Sequence, residues 1–257
     1  MEKTRTVKPK IVFYGGGTES AAAFAVLSAM REAKFEFSQI VSVGMSTVGG
    51  LAFLAGADVK TVVYMLQTVC ICPYGAEKLI KESLANSPKG DCLLSQLEVP
   101  FYGVTVDLES GKTVIFGEKR VADTEKLTFV QDARLSEVAE ASLSPWIKAF
   151  PAKGKYGLLC GIPSEAGVRY MFGGERGKTV KFVFAPQKKS SIELAAQGQQ
   201  SRTAQLLAES LKGAAEHSAE RHWGEIILDL NGNTEQCFEK AKEQVLKEKE
   251  HLLLSIM

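Results

Sequence analysis

The chain has 257 residues, of which 45% are hydrophobic and 24% are charged, and its formal net charge is +1. A chain of this length buries enough surface to fold without disulfide or metal staples, and its balanced charge argues against a nucleic-acid-binding protein, which would present a strongly basic face. No apolar run reaches the roughly 18 residues of a membrane-spanning helix, and the apolar run after the charged start is too short for a signal peptide.

The cysteines and the first ten residues add two expectations. The chain has five cysteines, and their spacing fits neither a disulfide framework nor a zinc knuckle. We therefore expect reduced cysteines and a cytoplasmic protein. Residues 1–10 carry Lys3, Arg5, Lys8 and Lys10 and are interpreted as a basic, solvated tail. The same charges would give a weak attraction to anionic lipid, and so a peripheral membrane contact.

Strands and helices alternate through the first third of the chain. Apolar runs and helical spacing predict, in chain order, a strand at 11–14, a helix at 21–33, a strand at 40–43, a helix at 47–55 and a helix at 59–69. Gly56 suits the C-terminal end of the helix before it, and Asp58 suits the N-cap of the helix after it.

The middle of the chain is more irregular. The elements predicted there and beyond are a helix at 76–84, a β-hairpin of 102–108 and 113–116, a helix at 135–144, strands at 156–160 and 179–184, a polar helix at 202–216 and a strand at 225–230. Asn233 is predicted to cap a final helix. The alternation favours a layered α/β fold with a largely parallel sheet, and the lack of linkers and repeats favours one domain over residues 11–257.

Three glycines separate the first strand from the first helix. Gly15, Gly16 and Gly17 permit unusual backbone angles and bring free N–H groups to an anion at the start of a helix. A dinucleotide site is one interpretation, but the second strand ends at Gly44 without the acidic residue that such a site needs. A Walker phosphate loop does not fit, because no Gly-Lys-Ser/Thr follows.

Residues 44–48 read Gly-Met-Ser-Thr-Val and depart from the G-x-S-x-G nucleophile elbow at the last position, where Val48 replaces glycine and Gly49 follows. In such an elbow a sharp strand-to-helix turn lifts the serine hydroxyl above the sheet, and the N–H of the next residue helps to hold an oxyanion. Thr47 supplies that N–H here, and the glycine loop is the expected second donor. The alternative is structural, with Ser46 capping a helix of small residues.

A triple-glycine loop after the first strand, followed by a serine elbow after the second, resembles the patatin-like phospholipase family. Residues 24–33 and 51–58 are similar to the family's first helix and elbow helix, and residues 141–145 are similar to its "AS-x-x-P" block. The likeness covers most of residues 11–168. It implies a three-layer α/β/α patatin-like fold with a largely parallel central sheet, and a Ser–Asp dyad that hydrolyses phospholipid or another acyl ester without metal or organic cofactor.

The resemblance also implies roles for individual residues. Ser46 would be the nucleophile, and Gly44 and Gly49 would shape its elbow. The backbone amides expected to form the oxyanion hole are those of Gly15, Gly16, Gly17 and Thr47.

The chain departs from the family in its loops and in its dyad. Glu19 stands where the glycine loop of the family has a basic residue, and Ser20 stands where that loop ends in glycine. Counting from the "AS-x-x-P" block places Cys160 at the position of the dyad aspartate, followed by the motif glycine Gly161. A thiol is a poor substitute, because its ordinary pKa of about 8.5 rises on burial. A slip in the alignment is the alternative, with Glu165 as the nearest downstream carboxylate.

A histidine-containing triad is a further alternative, because the histidines follow Ser46 in the chain order of an α/β-hydrolase. Solvated helix histidines are the simpler reading of the same residues. The candidates for the triad are His217, His222 and His251 with Asp107, Asp123 or Asp132.

Two functions follow from the sequence. One is a patatin-like acyl hydrolase whose catalysis is impaired because Cys160 replaces the base. The other is a catalytically inactive pseudoenzyme that acts as a lipid- or partner-binding module. Neither hypothesis predicts an oligomeric state.

Overall fold

The structure is a computed structural model, and it describes residues 8–14, 21–71, 75–119, 123–143, 154–161, 179–184, 225–228, 230 and 233–248. Its α-helices are α1 (Ala23–Glu32), α2 (Ser46–Leu54), α3 (Val59–Ile71), α4 (Ala76–Ala85), α5 (Leu135–Ala141) and α6 (Thr234–Lys247). Its strands are β1 (Lys10–Tyr14), β2 (Gln39–Val43), β3 (Phe101–Asp107), β4 (Thr113–Phe116), β5 (Leu127–Val130), β6 (Leu159–Cys160), β7 (Thr179–Phe184) and β8 (Glu225–Leu228).

Several predicted features lie outside the described residues. They are Gly15, Gly16, Gly17, Glu19, Ser20, Glu165, the three histidines and the polar helix predicted at 202–216.

The strands form one mixed sheet in the order β5-β4-β3-β2-β1-β7-β8, with β6 pairing to β3 off this path. Strands β3, β2, β1, β7 and β8 run parallel to one another, whereas β4 and β6 run antiparallel to β3. Parallel neighbours need crossover connections, which place helices against the sheet. This topology confirms the predicted α/β class with a mostly parallel central sheet.

Both faces of the sheet are buried. Ile11 and Phe13 of β1 pack with side chains of the described helices in the main core cluster, whereas Val12 and Tyr14 point to the other side, into a second cluster. Within the described ranges, that second cluster consists of strand side chains only. Burial on both faces is consistent with the predicted three-layer α/β/α patatin-like fold. No described helix is long and apolar enough to cross a membrane.

Local signals at three element boundaries are confirmed. Asn233 caps α6, since its side-chain oxygen accepts a hydrogen bond from the Gln236 amide at 3.0 Å. Asp58 accepts a hydrogen bond from the Thr61 amide at 3.0 Å in the first turn of α3. Gly56 follows α2 with a φ of 78°, a left-handed conformation that glycine adopts without strain.

The structure differs from the predictions in two short strands. β5 was not predicted, because its four residues lie between charged segments and show little periodicity. Its pairing with β4 is what identifies it as a strand. The strand predicted at 156–160 is reduced to β6 at its end. Gly154 and Gly157 close a tight turn with a bridge of their own, and only Leu159 and Cys160 remain to pair with β3.

Candidate functional site

The ends of β1 and β2 lie side by side. Tyr14 pairs with Val43 in a parallel register, so the glycine segment and the serine turn, which follow these residues in the sequence, begin on neighbouring strands about 4.8 Å apart. Helix α2, which follows the serine turn, also packs against the chain just after the glycine segment. A Cβ atom added at Gly49 of α2 would lie 2.2 Å from the carbonyl oxygen of Ala21. Ala21 is the first described residue after the glycine segment.

Gly49 allows α2 to pack closely against a neighbouring element. It brings α2 against the backbone at the start of α1, where a Cβ atom would also lie 3.0 Å from the amide nitrogen of Phe24. Val48, which occupies the glycine position of the motif, is a buried core side chain. The glycine is therefore displaced by one residue, and it packs against a helix rather than a strand.

The sharp turn after β2 is made at Gly44. This residue has a φ of 70°, in the left-handed region, whereas Met45 has right-handed angles and Ser46 is not among the described residues with positive φ. α2 begins at Ser46 itself. In a nucleophile elbow the serine sits on the strained turn with its hydroxyl exposed, but here the left-handed residue precedes the serine by two positions.

The Ser46 hydroxyl is buried in the interface between α2 and β2, with 0% of the residue exposed. It donates a hydrogen bond to the Val43 carbonyl at 2.9 Å and accepts one from the Val43 amide at 3.2 Å. The Ser42 hydroxyl lies 3.3 Å from it. No ionisable side chain of the described residues is hydrogen-bonded to Ser46, whose hydroxyl is thus held by the last residue of the strand.

Thr47, the predicted oxyanion donor, is also fully buried. Its amide donates to the Gly44 carbonyl at 3.0 Å, inside the turn. Its hydroxyl oxygen has no hydrogen-bond partner among the described residues. Its methyl group faces β3, where it would lie 3.5 Å from a Cβ atom added at Gly103. In this conformation the Thr47 amide is already occupied.

Strand β6 takes the place beside β3 that β2 leaves when it ends. β4 occupies one edge of β3 as far as Val106, so Cys160, which pairs with Val106, lies along the other edge, beyond the end of β2. Val43 pairs with Val104, so Cys160 lies roughly 7 Å past Val43 along the strand direction, two residues at about 3.3 Å each. The predicted dyad position is therefore close to the serine turn.

Gly161 brings the third predicted motif to the same place. A Cβ atom added there would lie 3.0 Å from the Cα atom of Gly44 and 1.8 Å from the carbonyl oxygen of Ser142. Its amide donates to the Leu143 carbonyl at 3.0 Å. Gly44 of the serine turn, Ser142 of the "AS-x-x-P" block and Gly161 thus meet at the ends of the parallel strands.

The Cys160 side chain lies in an apolar cluster and is hydrogen-bonded to the main chain. It is fully buried and clusters with Leu108 and Leu158, and its thiol donates to the Leu143 carbonyl at 3.3 Å. No hydrogen bond joins the Cys160 and Ser46 side chains. The fold brings their backbones together, and the two polar groups each bind a main-chain carbonyl instead.

Asp107, one of the aspartates considered for a triad, stabilises a turn. Partial burial raises the pKa of its carboxyl, but hydrogen bonds from the Ser110 hydroxyl and from the amides of Glu109, Ser110 and Leu158 outweigh this effect and hold the pKa below its ordinary value. The carboxylate therefore links the β3–β4 turn to the segment that enters β6, and it makes no hydrogen bond to Ser46.

The other two aspartates are also away from the serine. Asp123 accepts a hydrogen bond from the Phe129 amide at 3.1 Å and pairs with Lys119 at 3.2 Å. The Phe129 amide is the main cause of its lowered pKa. Asp132 is exposed beyond the end of β5. Within the part of the chain that the structure describes, no group of three or more histidine, cysteine or acidic side chains is placed to hold a metal ion.

Two hydroxyls of the site were missed by sequence reasoning. Ser42 interrupts the apolar strand Ile-Val-Ser-Val, and a lone hydroxyl on the helix-facing side of a buried strand was the available signal. Ser142 ends α5 beside Gly161, and its hydroxyl oxygen is buried without a partner among the described residues. Its position in the "AS-x-x-P" block was the available signal for that placement.

No family model matches the sequence, and no curated protein matches it at a significant level. The chain is similar to a solved structure, the type III effector protein ExoU. The two are 12% identical with a TM-score of 0.45, and the match covers 98% of this chain and 54% of that chain. The chain thus spans about half the length of that protein, and so distant a likeness carries no argument about activity.

Proposed function

We propose that this chain is a catalytically inactive protein of patatin-like design that binds lipid without hydrolysing it. The burial of Ser46 is the observation that carries the proposal. Its hydroxyl donates to the Val43 carbonyl and is enclosed between α2 and β2. A serine nucleophile must instead reach the acyl carbon and give its proton to a base.

The neighbourhood of Ser46 supports the absence of turnover. The side chain at the dyad position, Cys160, is a buried thiol bonded to a carbonyl, and the Thr47 amide is used inside the turn. A positioned general base contributes roughly 10² to 10⁴ in rate, and removing one oxyanion donor costs about 10² to 10³. Together these losses leave little of the chemistry of the family.

A fluorophosphonate probe tests the state of the serine. We expect no labelling of the wild type above that of Ser46→Ala across neutral and alkaline pH, because the hydroxyl is neither exposed nor deprotonated. Ser28→Ala is the matched control, since the Ser28 hydroxyl also donates to a main-chain carbonyl, that of Phe24 at 2.9 Å, on a different helix. Stoichiometric labelling that disappears only in Ser46→Ala would contradict the proposal.

Lipid binding rests on the resemblance of the motifs and needs its own measurement. In co-sedimentation with phosphatidylcholine vesicles, the wild type and Ser46→Ala should sediment with the vesicles to the same extent, because binding without turnover does not require the hydroxyl. Failure of both proteins to sediment with vesicles would remove the lipid-binding part of the proposal while leaving the inactive serine in place.

A weak acyl hydrolase is the second candidate, and the convergence of Gly161, Gly44 and Ser142 supports it. That convergence supports a dyad position next to the serine turn, where a restored carboxylate would act. If this candidate is correct, Cys160→Asp raises the hydrolysis of a short-chain p-nitrophenyl ester, and Cys160→Asn, which has the same size, does not. Equal rates for the two variants would favour the inactive protein.

A further inference from the structure

A cavity of about 310 Å³ lies at the opposite end of β3 from the serine turn. It includes Phe101 at the start of β3, which pairs with Ile40 near the start of β2, whereas the serine turn follows Val43 at the end of β2. The volume is at the lower end of the range of about 300 to 1,000 Å³ that is typical of small-molecule sites. The cavity is therefore separate from the candidate site and large enough for a small organic ligand.

The floor of this cavity is apolar and preformed. Leu94, Leu97 and Phe101 line it with side chains that are each less than 10% exposed. One wall is the backbone of Gly117, which has a φ of 147° and packs so closely that an added Cβ atom would lie 2.5 Å from the Tyr102 ring. The cavity is thus bounded by side chains and backbone that are packed into the core.

Among the described residues that line the cavity, the charged ones are both acidic. Glu118 and Asp132 line it together with neutral Ser95 and Gln131, and no lysine or arginine is among the lining residues. Both carboxylates are exposed, and neither forms an ion pair with the described residues. An anion such as a fatty acid or a phosphate would be repelled by these two rim carboxylates.

Three basic residues of the described ranges that lie near the cavity in the sequence are engaged elsewhere. Lys119 pairs with Asp123 at 3.2 Å, and Lys89 pairs with Glu98 at 2.9 Å. The Arg134 guanidinium donates to the Asp91 carbonyl at 2.8 Å. These three side chains therefore do not neutralise Glu118 and Asp132.

We infer that this cavity binds a small organic cation, with its apolar body on the leucine and phenylalanine floor and its ammonium group between Glu118 and Asp132. The inference goes beyond the proposed function, since it concerns a different end of the sheet and a ligand of opposite charge to a phospholipid phosphate. The apolar side chains bind the body of the ligand, and the two carboxylates select for its positive charge.

Phenethylammonium is a suitable probe of the intact chain. Its binding is followed in a titration through the backbone amide resonances of the protein. We expect saturable shifts at Leu97 and Phe101, weaker binding of the neutral phenethyl alcohol, and no binding of 3-phenylpropionate. Glu118→Gln and Asp132→Asn should each weaken the cation about threefold, as for an exposed ion pair, and raising the salt concentration to about 0.5 M should weaken it further. Both side chains are exposed, so these variants should fold.

Glu125→Gln is the matched control, because it removes the same charge from an exposed position that does not line the cavity. It should leave the affinity unchanged. If Glu125→Gln weakened the binding of the cation equally, the cation would be attracted by the overall charge of the protein rather than by the rim carboxylates. Equal binding of the three probes, or an absence of saturable binding at Leu97 and Phe101, would overturn the inference.

Discussion

Gly161 lies against the Cα atom of Gly44, because β6 enters the space beside β3 just where β2 turns away into α2. A Cβ atom added at Gly161 would lie 3.0 Å from that Cα atom, 1.8 Å from the Ser142 carbonyl oxygen and 2.5 Å from the Ser142 carbonyl carbon. All three neighbours are backbone atoms, which cannot rotate away as a side chain can.

Gly161→Ala should therefore lower the free energy of unfolding by at least about 2 kcal/mol, since overpacking against fixed atoms typically costs about 1 to 3 kcal/mol. Urea denaturation measures the change. Gly154→Ala, in the preceding turn, is the control, because the nearest atom to an added Cβ atom there is the Gly157 carbonyl oxygen at 3.9 Å. Equal stabilities of the two variants would mean that β6 does not pack against the serine turn.

The contact between α2 and α1 predicts different effects at two adjacent glycines. Alanine in place of a mid-helix glycine normally stabilises by about 0.5 to 1 kcal/mol. At Gly49 a Cβ atom would meet the Ala21 carbonyl oxygen at 2.2 Å, whereas at Gly50 it would meet the edge of the Phe101 ring at 3.0 Å.

We expect Gly49→Ala to lose at least about 1 kcal/mol more than Gly50→Ala, because a ring can shift and a backbone carbonyl cannot. Thermal unfolding of the two variants, compared with the wild type, measures the difference. A more stable Gly49→Ala would show that the two helices are further apart.

The unpartnered hydroxyl of Thr47 predicts a stabilising substitution. Thr47→Val replaces a buried oxygen that has no partner among the described residues with a methyl group of similar size. We expect the free energy of unfolding to rise by about 1 kcal/mol, because a buried unsatisfied polar group costs about 1 to 3 kcal/mol. Thr105→Val should instead lower it by about 1 kcal/mol, since the Thr105 hydroxyl donates to the Val114 carbonyl at 3.1 Å. Destabilisation by both substitutions would indicate that Thr47 has a partner such as a buried water.

The carboxylate of Asp107 predicts a dependence of stability on pH. The pKa of this carboxyl is lowered in the folded protein. Its contribution to the free energy of unfolding is therefore present above the pKa of the unfolded chain and is lost as the pH falls through the pKa of the folded protein. Asp107→Asn should accordingly destabilise the protein near pH 7, and the difference from the wild type should shrink as the pH falls below the pKa of the unfolded chain. Urea titrations at several pH values measure it. A difference for Asp107→Asn that stays constant with pH would exclude a stabilising role for the ionised carboxylate.

Much of the fold could be predicted from the sequence, because the relevant signals are local. β7 has its predicted bounds, Asn233 caps the last described helix, and the β3–β4 hairpin turns at the predicted residues. Apolar periodicity, cap residues and glycines at turns act within a few residues of where they stand. β5 escaped prediction because a strand of four residues is decided by its neighbour in the sheet.

The sequence by itself also predicted part of the candidate site, since the serine turn and Gly161 were identified from motifs, whereas the hydroxyls of Ser42 and Ser142 were not. Only the tertiary structure decided what the groups do there. Ser46 binds Val43 and is enclosed by α2, and Cys160 binds Leu143, because the packing of helix on sheet selects the direction of each side chain. A motif specifies residue types and spacing, whereas the burial of a hydroxyl depends on atoms contributed by distant parts of the chain.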